Sequence, residues 1–553
     1  MNKKHSYPLV VDKLYIPMRD SLRLVADFLI KSDGIPHPVL LLRTPYMRQD
    51  ALSHIDAINL ARLGWAVVVQ NVRGRIESEG SFLPFMQEMN DGKDTIEWLK
   101  KQSWCNGKIA MSGTSYVGYV QWCCAHQDIP GLGAISPQIT ASDIYKQWFF
   151  ENGAFRHAFA QSWGLSFAYT ASSKSDKETK EMQEYVYKLE KLYEYAPDCS
   201  PLRQFFKPYN DWLKSSDDPF WQQLPSIEKK IPSIPAFHLA GWYDIFCEGS
   251  LEDYSLMRNQ LPKGYAQESQ RLVIGPWSHT QLYSPIVGQL DFGVNADGFF
   301  SDTMNEIHEW LLAALEKKPV KGGARVFIMG ENSWREFTTW PPTAETNVIN
   351  LYLHSKDNSK SSLLKHSLEF SKPADFNEIK FFYEPASLPS PLGGRFLDPT
   401  LYGAPGPFNQ SSHFHRYDLL LFVSSKLADS LTIVGKVTAR LYLSTNVESL
   451  DIVMTLLDIY PDGSTYNMVS SVHRERLKKN EINIFDLDVG STAITFGAGH
   501  CIGFKVASSN FPHTDLNPNR AIVQIYMGPN HLSHINLPVL GDYPKDGISF
   551  LKS

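Results

Sequence analysis

Lys108-Ile109-Ala110-Met111-Ser112-Gly113-Thr114-Ser115-Tyr116-Val117-Gly118 is the stretch on which the reading of the whole chain turns. Lys108–Ser112 is a short run of strand length, and Tyr116–His126 has the length and composition of a helix. Between them stands a serine in a glycine-flanked turn. A strand that turns sharply into a helix exposes such a hydroxyl. It also leaves the first N–H groups of the helix facing whatever the hydroxyl attacks. The pattern departs from G-x-S-x-G, because Val117 takes the place of the second glycine and Gly118 follows one residue later. Taken alone, a serine between glycines is as often a turn or a helix cap as a nucleophile.

Outward from that turn the same alternation repeats. Val39–Leu42, Ala66–Gln70 and Gly133–Ser136 read as strands, and Ile55–Leu63 and Met86–Lys101 as helices. Strands alternating with helices imply a mostly parallel sheet covered on both faces, an α/β fold. From about Ala141 to Lys230 the strand-like runs stop. Aromatics and charges take over, as in Trp148-Phe149-Phe150 and Glu184–Tyr195, so a helical insertion is expected there. Strands resume at Pro235–Ala240 and Arg271–Ile274, and a helix is expected over about Asp302–Lys317. After Pro341-Pro342 the pattern changes to short alternating segments: Val348–Leu353, Leu419–Val423, Leu431–Leu443, Ile452–Ile459 and Ile522–Tyr526. These predict an antiparallel β-sandwich. The expected organisation is an α/β domain in two parts, 1–142 and 231–343, a helical cap at 143–230, and a sandwich at 344–553.

A serine alone is a poor nucleophile and needs a base, which in turn needs orienting. In α/β enzymes of this kind the chain order is serine, acid, histidine. Leu239-Ala240-Gly241-Trp242-Tyr243-Asp244 puts Asp244 in a turn just after a strand, and Gly275-Pro276-Trp277-Ser278-His279 puts His279 just after the next one. Both fall at the strand ends where Ser115 also falls, the edge at which open α/β sheets bind ligands. Singly, Asp244 reads equally well as a turn former and His279 as a loop residue. Three residues in the right order, each at the right end of a strand, point to acyl transfer.

Composition narrows the alternatives. The formal net charge of −6 and the absence of a basic stripe argue against a nucleic-acid partner. The runs Lys174–Lys180 and Arg474–Lys479 are short and interrupted by acids, as solvated faces are. Met1–Tyr7 is polar and no apolar h-region follows, so neither a secretory signal nor a membrane span is expected, and a cytoplasmic location is. The six cysteines show no C-x-x-C spacing and read as reduced. His413 with His415, and His531 with His534, lack an acidic or cysteine partner at ligand spacing, and no phosphate loop or dinucleotide fingerprint occurs. No metal and no cofactor are therefore expected. The expected partner is a small-molecule acyl substrate, and a homo-oligomer is left open.

Further segments carry a resemblance that covers nearly the whole chain. They are Arg43-Thr44-Pro45-Tyr46; Gln70-Asn71-Val72-Arg73-Gly74 with Ser78-Glu79-Gly80; Trp104-Cys105-Asn106-Gly107; Gly113–Gly118; Gly241–Phe246; and Gly275–His279. In the sandwich region they are Tyr383-Glu384-Pro385, Leu392-Gly393-Gly394 and Pro461-Asp462-Gly463. The sequence resembles the cocaine esterase group of hydrolases, related to the X-prolyl dipeptidyl aminopeptidases and the α-amino acid ester hydrolases. The resemblance implies an α/β-hydrolase domain with an inserted helical cap and a C-terminal jelly roll. It implies Ser115, Asp244 and His279 as catalytic residues, and an oxyanion hole made of the Tyr46 hydroxyl and the Tyr116 N–H. It suggests Phe246, and more weakly Trp148 and Trp163, as substrate-binding residues. Arg73 reads as structural. One departure stands out: where the amino-acid ester hydrolases carry an acid early in the cap, this chain has Lys146 and Gln147, with Glu151 as a substitute.

The leading expectation is a serine hydrolase of acyl esters or amides acting through an acyl-enzyme. An acyltransferase would use the same residues. A dipeptidyl-peptidase or amino-acid ester hydrolase would need acids to hold a free amine. A carbohydrate-binding protein with a dead hydrolase domain would be expected to lose one of the four site residues. A fluorophosphonate probe should label wild-type protein stoichiometrically at Ser115 and leave Ser115→Ala unlabelled; labelling of that variant would remove Ser115 as the nucleophile.

Overall fold

The computed structural model describes residues 9–170, 196–355, 365–387, 392–397, 405–541 and 550–551. Among these, a ten-stranded sheet forms the first half of the molecule. Its strands are β1 (Leu9–Pro17), β2 (Arg23–Lys31), β3 (His37–Thr44), β4 (Ala66–Asn71), β5 (Cys105–Thr114), β6 (Leu132–Gln138), β7 (Phe237–Tyr243), β8 (Arg271–Ser278), β9 (Gly323–Ile328) and β10 (Ser333–Phe337). Their spatial order is β1-β2-β4-β3-β5-β6-β7-β8-β9-β10. From β4 to β9 every neighbouring pair is parallel. At the edges, β1, β2 and β10 run antiparallel to their neighbours.

The parallel strands are apolar without alternation because both faces are covered. All residues of β4, β7 and β8 are buried. Two cores result. One packs α1 (Glu88–Leu99) and α2 (Tyr116–Ala125) against one face and continues into the cap. The other packs α5 (Thr303–Leu315) against the opposite face, through Ile307, Trp310, Leu311 and Ala314.

The cap enters between β6 and β7. It starts with a π-helical turn over Ile144–Phe149, continues into α3 (His157–Thr170), and includes short helices at Leu202–Phe205, Tyr209–Trp212 and Pro219–Gln222. The sequence-level helix over Glu184–Tyr195 lies outside the described residues. Helix α4 (Cys247–Gln260) follows β7.

The second half is a sheet-rich sandwich of eleven described strands. The expected hairpin at Pro461-Asp462-Gly463 joins Ser449–Ile459 to Thr465–Arg476, with Gly463 at φ 90 where a side chain would be strained. The two halves share one hydrophobic core: Ala240, Trp242 and Tyr243 of β7 sit in the same cluster as Leu441, Val489 and Ile494 of the sandwich. Met329 exchanges backbone bonds with Ala493 and Thr495 at 3.0 and 2.8 Å. Arg395 clamps the junction, donating to Trp242 O at 2.8 Å and Ser491 O at 2.6 Å and pairing with Glu248 at 2.6 Å. No helix among the described residues is long and apolar enough to cross a membrane.

Two buried histidines make the fold acid-sensitive. His238, bonded to Gln270 Oε1 at 3.1 Å, and His513 of the sandwich are pushed down by burial to about 4 and about 3 from an ordinary 6.5. The unfolded chain therefore binds more protons below pH 6.5, and the stability these residues provide is lost progressively as pH falls from 6.5 toward those values. Melting temperature should fall between pH 6.5 and 4, and His238→Gln should flatten part of that slope.

Candidate active site

The four candidate site residues sit at the C-terminal ends of parallel strands: Tyr46 just after β3, Ser115 after β5, Asp244 after β7 and His279 after β8. Parallelism alone brings the four ends to one edge. At that edge Ser115 adopts φ 58, ψ −125, a region non-glycine residues rarely visit. Its N–H donates to Gln138 O of β6 at 2.9 Å, and its carbonyl accepts from Gly118 and Tyr119 at 2.8 and 3.0 Å. These bonds hold the turn while helix α2 begins.

The departure from G-x-S-x-G has a steric explanation. A Cβ on Gly113 would lie 2.4 Å from Val117 Cγ1, so Val117 fills the space that Gly113 leaves. A Cβ on Gly118 would lie 2.5 Å from Thr140 Cγ2. Helix α2 thus makes its close approach at position 118, against the chain leaving β6.

Asp244 is fully buried and uses both carboxylate oxygens. Oδ1 accepts the Phe246 N–H at 2.9 Å and Oδ2 meets His279 Nδ1 at 2.6 Å. The His279 ring is half-buried, edge-on to Phe246 with centroids 5.4 Å apart. Phe246 packs on Trp148 at 4.3 Å, and Trp148 lies 5.8 Å from Trp163. Trp163 Nε1 donates to the Tyr46 oxygen at 3.1 Å. An aromatic wall thus runs from His279 round to Tyr46. Burial pushes the Tyr46 phenol up, so it keeps its proton. Its oxygen accepts from Trp163, which leaves its own hydrogen to donate.

Several further residues support the site. Asn71 Nδ2 donates to Thr44 O at 3.1 Å and Tyr46 O at 2.7 Å, and Arg75 Nε donates to Pro45 O at 2.8 Å, so two side chains hold the turn that carries Tyr46. Tyr116 OH donates to Glu88 Oε1 at 2.9 Å, and Glu88 pairs with Arg43 at 2.9 Å; both acid and base are buried. This pins the first residue of α2 to the start of α1. Arg156 of the cap donates to Ile245 O at 2.9 Å, beside Asp244. Arg43 and Asn71 lie in the segments that carry the resemblance; nothing local marks Glu88 or Arg156. Arg73 pairs with Asp91 and Asp20, each at 2.6 Å, and is structural.

Comparison with known proteins decides the family. Residues 20–281 match the X-Pro dipeptidyl-peptidase (S15 family) domain, and residues 321–535 match the X-Pro dipeptidyl-peptidase C-terminal non-catalytic domain. The chain is 30% identical to the cocaine esterase of Rhodococcus sp. (strain MB1 Bresler), over 96% of this chain and 98% of the relative. The chain belongs to the cocaine esterase-like family of serine hydrolases. Two solved structures share the fold over 98% of both chains. They are an aminopeptidase from a marine sediment Thaumarchaeota archaeon, at 22% identity and TM-score 0.78, and an α-amino acid ester hydrolase, at 23% and 0.76.

In this cocaine esterase-like hydrolase the three aromatic residues are not equally placed. Trp148 is fully enclosed, with Nε1 bonded to Ala141 O at 2.9 Å, and lies behind Phe246. Trp163 is tied to Tyr46, and Phe246 touches His279 directly. The sequence places the substrate pocket where cap, strand ends and sandwich meet. A cavity of about 580 Å³ does lie there, but it is lined by charged side chains such as Glu248, Arg395 and Lys436 and by none of these aromatics. The turn Asp244-Ile245-Phe246 explains the difference: Ile245 borders this cavity, whereas Phe246 packs on the aromatic wall. Lys146 pairs with Glu228 at 2.6 Å, and Gln147 Nε2 donates to Glu252 Oε2 at 2.6 Å. Glu151 accepts from Val472 N–H at 3.2 Å and faces Arg156 at 3.7 Å.

Gly118→Ala should destabilise the protein by about 1–3 kcal/mol through overpacking against Thr140 and lower activity by displacing Ser115. Thr140→Ser removes the clashing methyl. The double variant should recover part of both losses in paired denaturation and turnover measurements.

Proposed function

We propose that this hydrolase cleaves acyl esters through an acyl-enzyme on Ser115, with His279 as general base and Asp244 as the group that orients it. The observation that carries the reading is the 2.6 Å contact between Asp244 Oδ2 and His279 Nδ1, at the strand edge where Ser115 sits on a positive-φ turn. With Nδ1 bound to the carboxylate, the imidazole presents Nε2 as the acceptor for the serine proton.

In the first half-reaction Ser115 Oγ adds to the ester carbonyl carbon as His279 takes its proton. The carbonyl oxygen becomes an oxyanion, met by the Tyr46 hydroxyl and the N–H of Tyr116. That N–H belongs to the first turn of α2 and has no carbonyl of its own helix to meet. Each such donor is worth about 2.7–4 kcal/mol of barrier. The C–O bond to the alcohol breaks, and His279 protonates the leaving alkoxide. Water then attacks the acyl-serine with His279 again as base, releasing a carboxylic acid and restoring Ser115.

The acyl group this site favours is aryl or otherwise bulky and apolar, without a free α-amine. Phe246 next to His279, backed by Trp148 and with Trp163 at Tyr46, supports an apolar wall, each well-packed ring adding about 0.5–1.5 kcal/mol beyond its buried area. Lys146, Gln147 and the engaged Glu151 offer no free carboxylate for an ammonium. The name of the Rhodococcus relative points the same way.

Tyr46→Phe should lower kcat by about 10²–10³ with little change in KM, since the ring is kept and only a transition-state donor is lost. Asp244→Asn should lower kcat by about 10⁴ in a folded protein. For substrate, kcat/KM for a phenylacetyl ester should exceed that for the matched phenylglycine ester at a pH where the amine is charged. About tenfold or more preference for the amino ester would overturn the apolar-acyl reading while leaving the triad intact.

A further inference from the structure

Away from the hydrolytic centre, the sandwich contains a lysine to which no carboxylate is paired among the described residues. Lys505 lies on the strand Cys501–Ala507 and is partly buried. Its ammonium donates to Gln410 Oε1 at 2.9 Å. That amide cannot turn round, because Gln410 Nε2 donates to Leu392 O, Phe408 O and Asn467 Oδ1 at 2.8, 3.1 and 3.2 Å. The oxygen is therefore held toward the lysine. An ammonium has three protons to place, and a neutral amide oxygen meets one. The opposite charge that bears on Lys505 is Asp418, which already holds Arg416 at 2.8 and 2.6 Å. Burial pushes Lys505 down to about 8, so at pH 7 it is still mostly charged.

Lys505 borders a cavity of about 60 Å³, with Thr455, Ser470, Ser509 and Asn510 in its wall. At roughly 10–15 Å³ per water this holds about four waters, enough for a planar –CO₂⁻ head. Gly393, Ser470 and Asn510 also border the cavity of about 580 Å³ at the three-way junction, so the small space adjoins the large one. In the larger cavity Arg395 pairs with Glu248 at 2.6 Å and Lys436 with Asp488 at 2.9 Å, while Glu252 is held by the Gln147 amide. In the small cavity the ammonium is a charge with no carboxylate paired to it among the described residues. Burying a charge is expensive unless a counter-charge or enough hydrogen bonds meet it.

We propose that the two adjoining cavities form a second ligand site, which takes a small organic monocarboxylate with its head on Lys505 Nζ and its body toward the larger cavity. One ammonium matches one negative charge. A dianion would bring an excess negative charge close to Glu248 and Asp488. The site lies in the sandwich and at its junction with α4 and contains none of Tyr46, Ser115, Asp244 and His279, so its occupancy does not depend on the proposed hydrolysis.

The test compares sodium butyrate with sodium chloride at equal ionic strength and pH 7, on the full chain. Butyrate should raise the melting temperature of wild-type protein by a few degrees over chloride, as a ligand of the folded state does. Lys505→Met should abolish that difference, and Lys505→Arg should keep part of it. An equal butyrate effect in Lys505→Met, or chloride matching butyrate in wild type, overturns the proposal. Should Lys505→Met not fold, ¹³C-methylated lysine resonances of wild type supply the readout. The Lys505 signal, assigned by its loss in Lys505→Arg, must shift with butyrate and not with chloride, and a stationary signal overturns the proposal.

Discussion

Much of this molecule answers to the backbone of Ser115. A non-glycine residue at φ 58, ψ −125 costs of order 1–3 kcal/mol and persists only where its surroundings hold it. Here the surroundings are specific. Gln138 O takes its N–H, two amides of α2 take its carbonyl, and the empty sides of Gly113 and Gly118 let Val117 and Thr140 close in. The buried Arg43–Glu88 pair, bonded to Tyr116, anchors the helix that starts at this turn. Removing one partner of such a pair typically costs about 3–5 kcal/mol, because the other charge is left buried alone. The strain at Ser115 is thus maintained by a network of residues packed around the turn.

The parallel sheet does the rest of the positioning. Tyr46, Ser115, Asp244 and His279 are up to 233 residues apart in the chain, yet each is the residue, or nearly the residue, that follows a parallel strand. Shared strand direction brings all four to one edge of the sheet, where Asp244 and His279 touch. The cap closes over this edge from between β6 and β7, bringing Trp163 to the phenol and Arg156 to the turn after Asp244. The sandwich closes from the other side and shares its core with β7. The active edge is therefore stiffened by all three parts of the chain, which suits a reaction that depends on preorganised donors.

The two environments at the junction differ in character for the same reason. Phe246 and Ile245 are neighbours in sequence with opposite surroundings: one joins the aromatic wall at His279, the other borders the charged cavity beside α4. A single tight turn after β7 separates the aromatic wall at His279 from a polar cavity bordered by the Arg395–Glu248 and Lys436–Asp488 pairs.

The strand–helix alternation, the inserted cap after β6 and the change to a sandwich after Pro341-Pro342 were legible from periodicity, because apolar runs of fixed length and turn residues are local properties. So was the position of Ser115, Asp244 and His279 just after strands, a local fact repeated three times. The strands β1 and β2 escaped such a reading: in Leu9–Pro17 the edge position leaves Val10, Val11, Asp12 and Lys13 exposed, and no clean alternation survives. The π-helical turn at Ile144–Phe149, Glu88 beneath Tyr116 and the Gly118–Thr140 contact were likewise invisible, since each depends on a partner brought near only by folding. The sequence by itself determined which residue types stand at which strand ends. Tertiary structure alone decided which of them touch, which face of a turn each side chain takes, and that Lys505 meets an amide oxygen instead of a carboxylate, because those outcomes depend on distances between elements that no local pattern encodes.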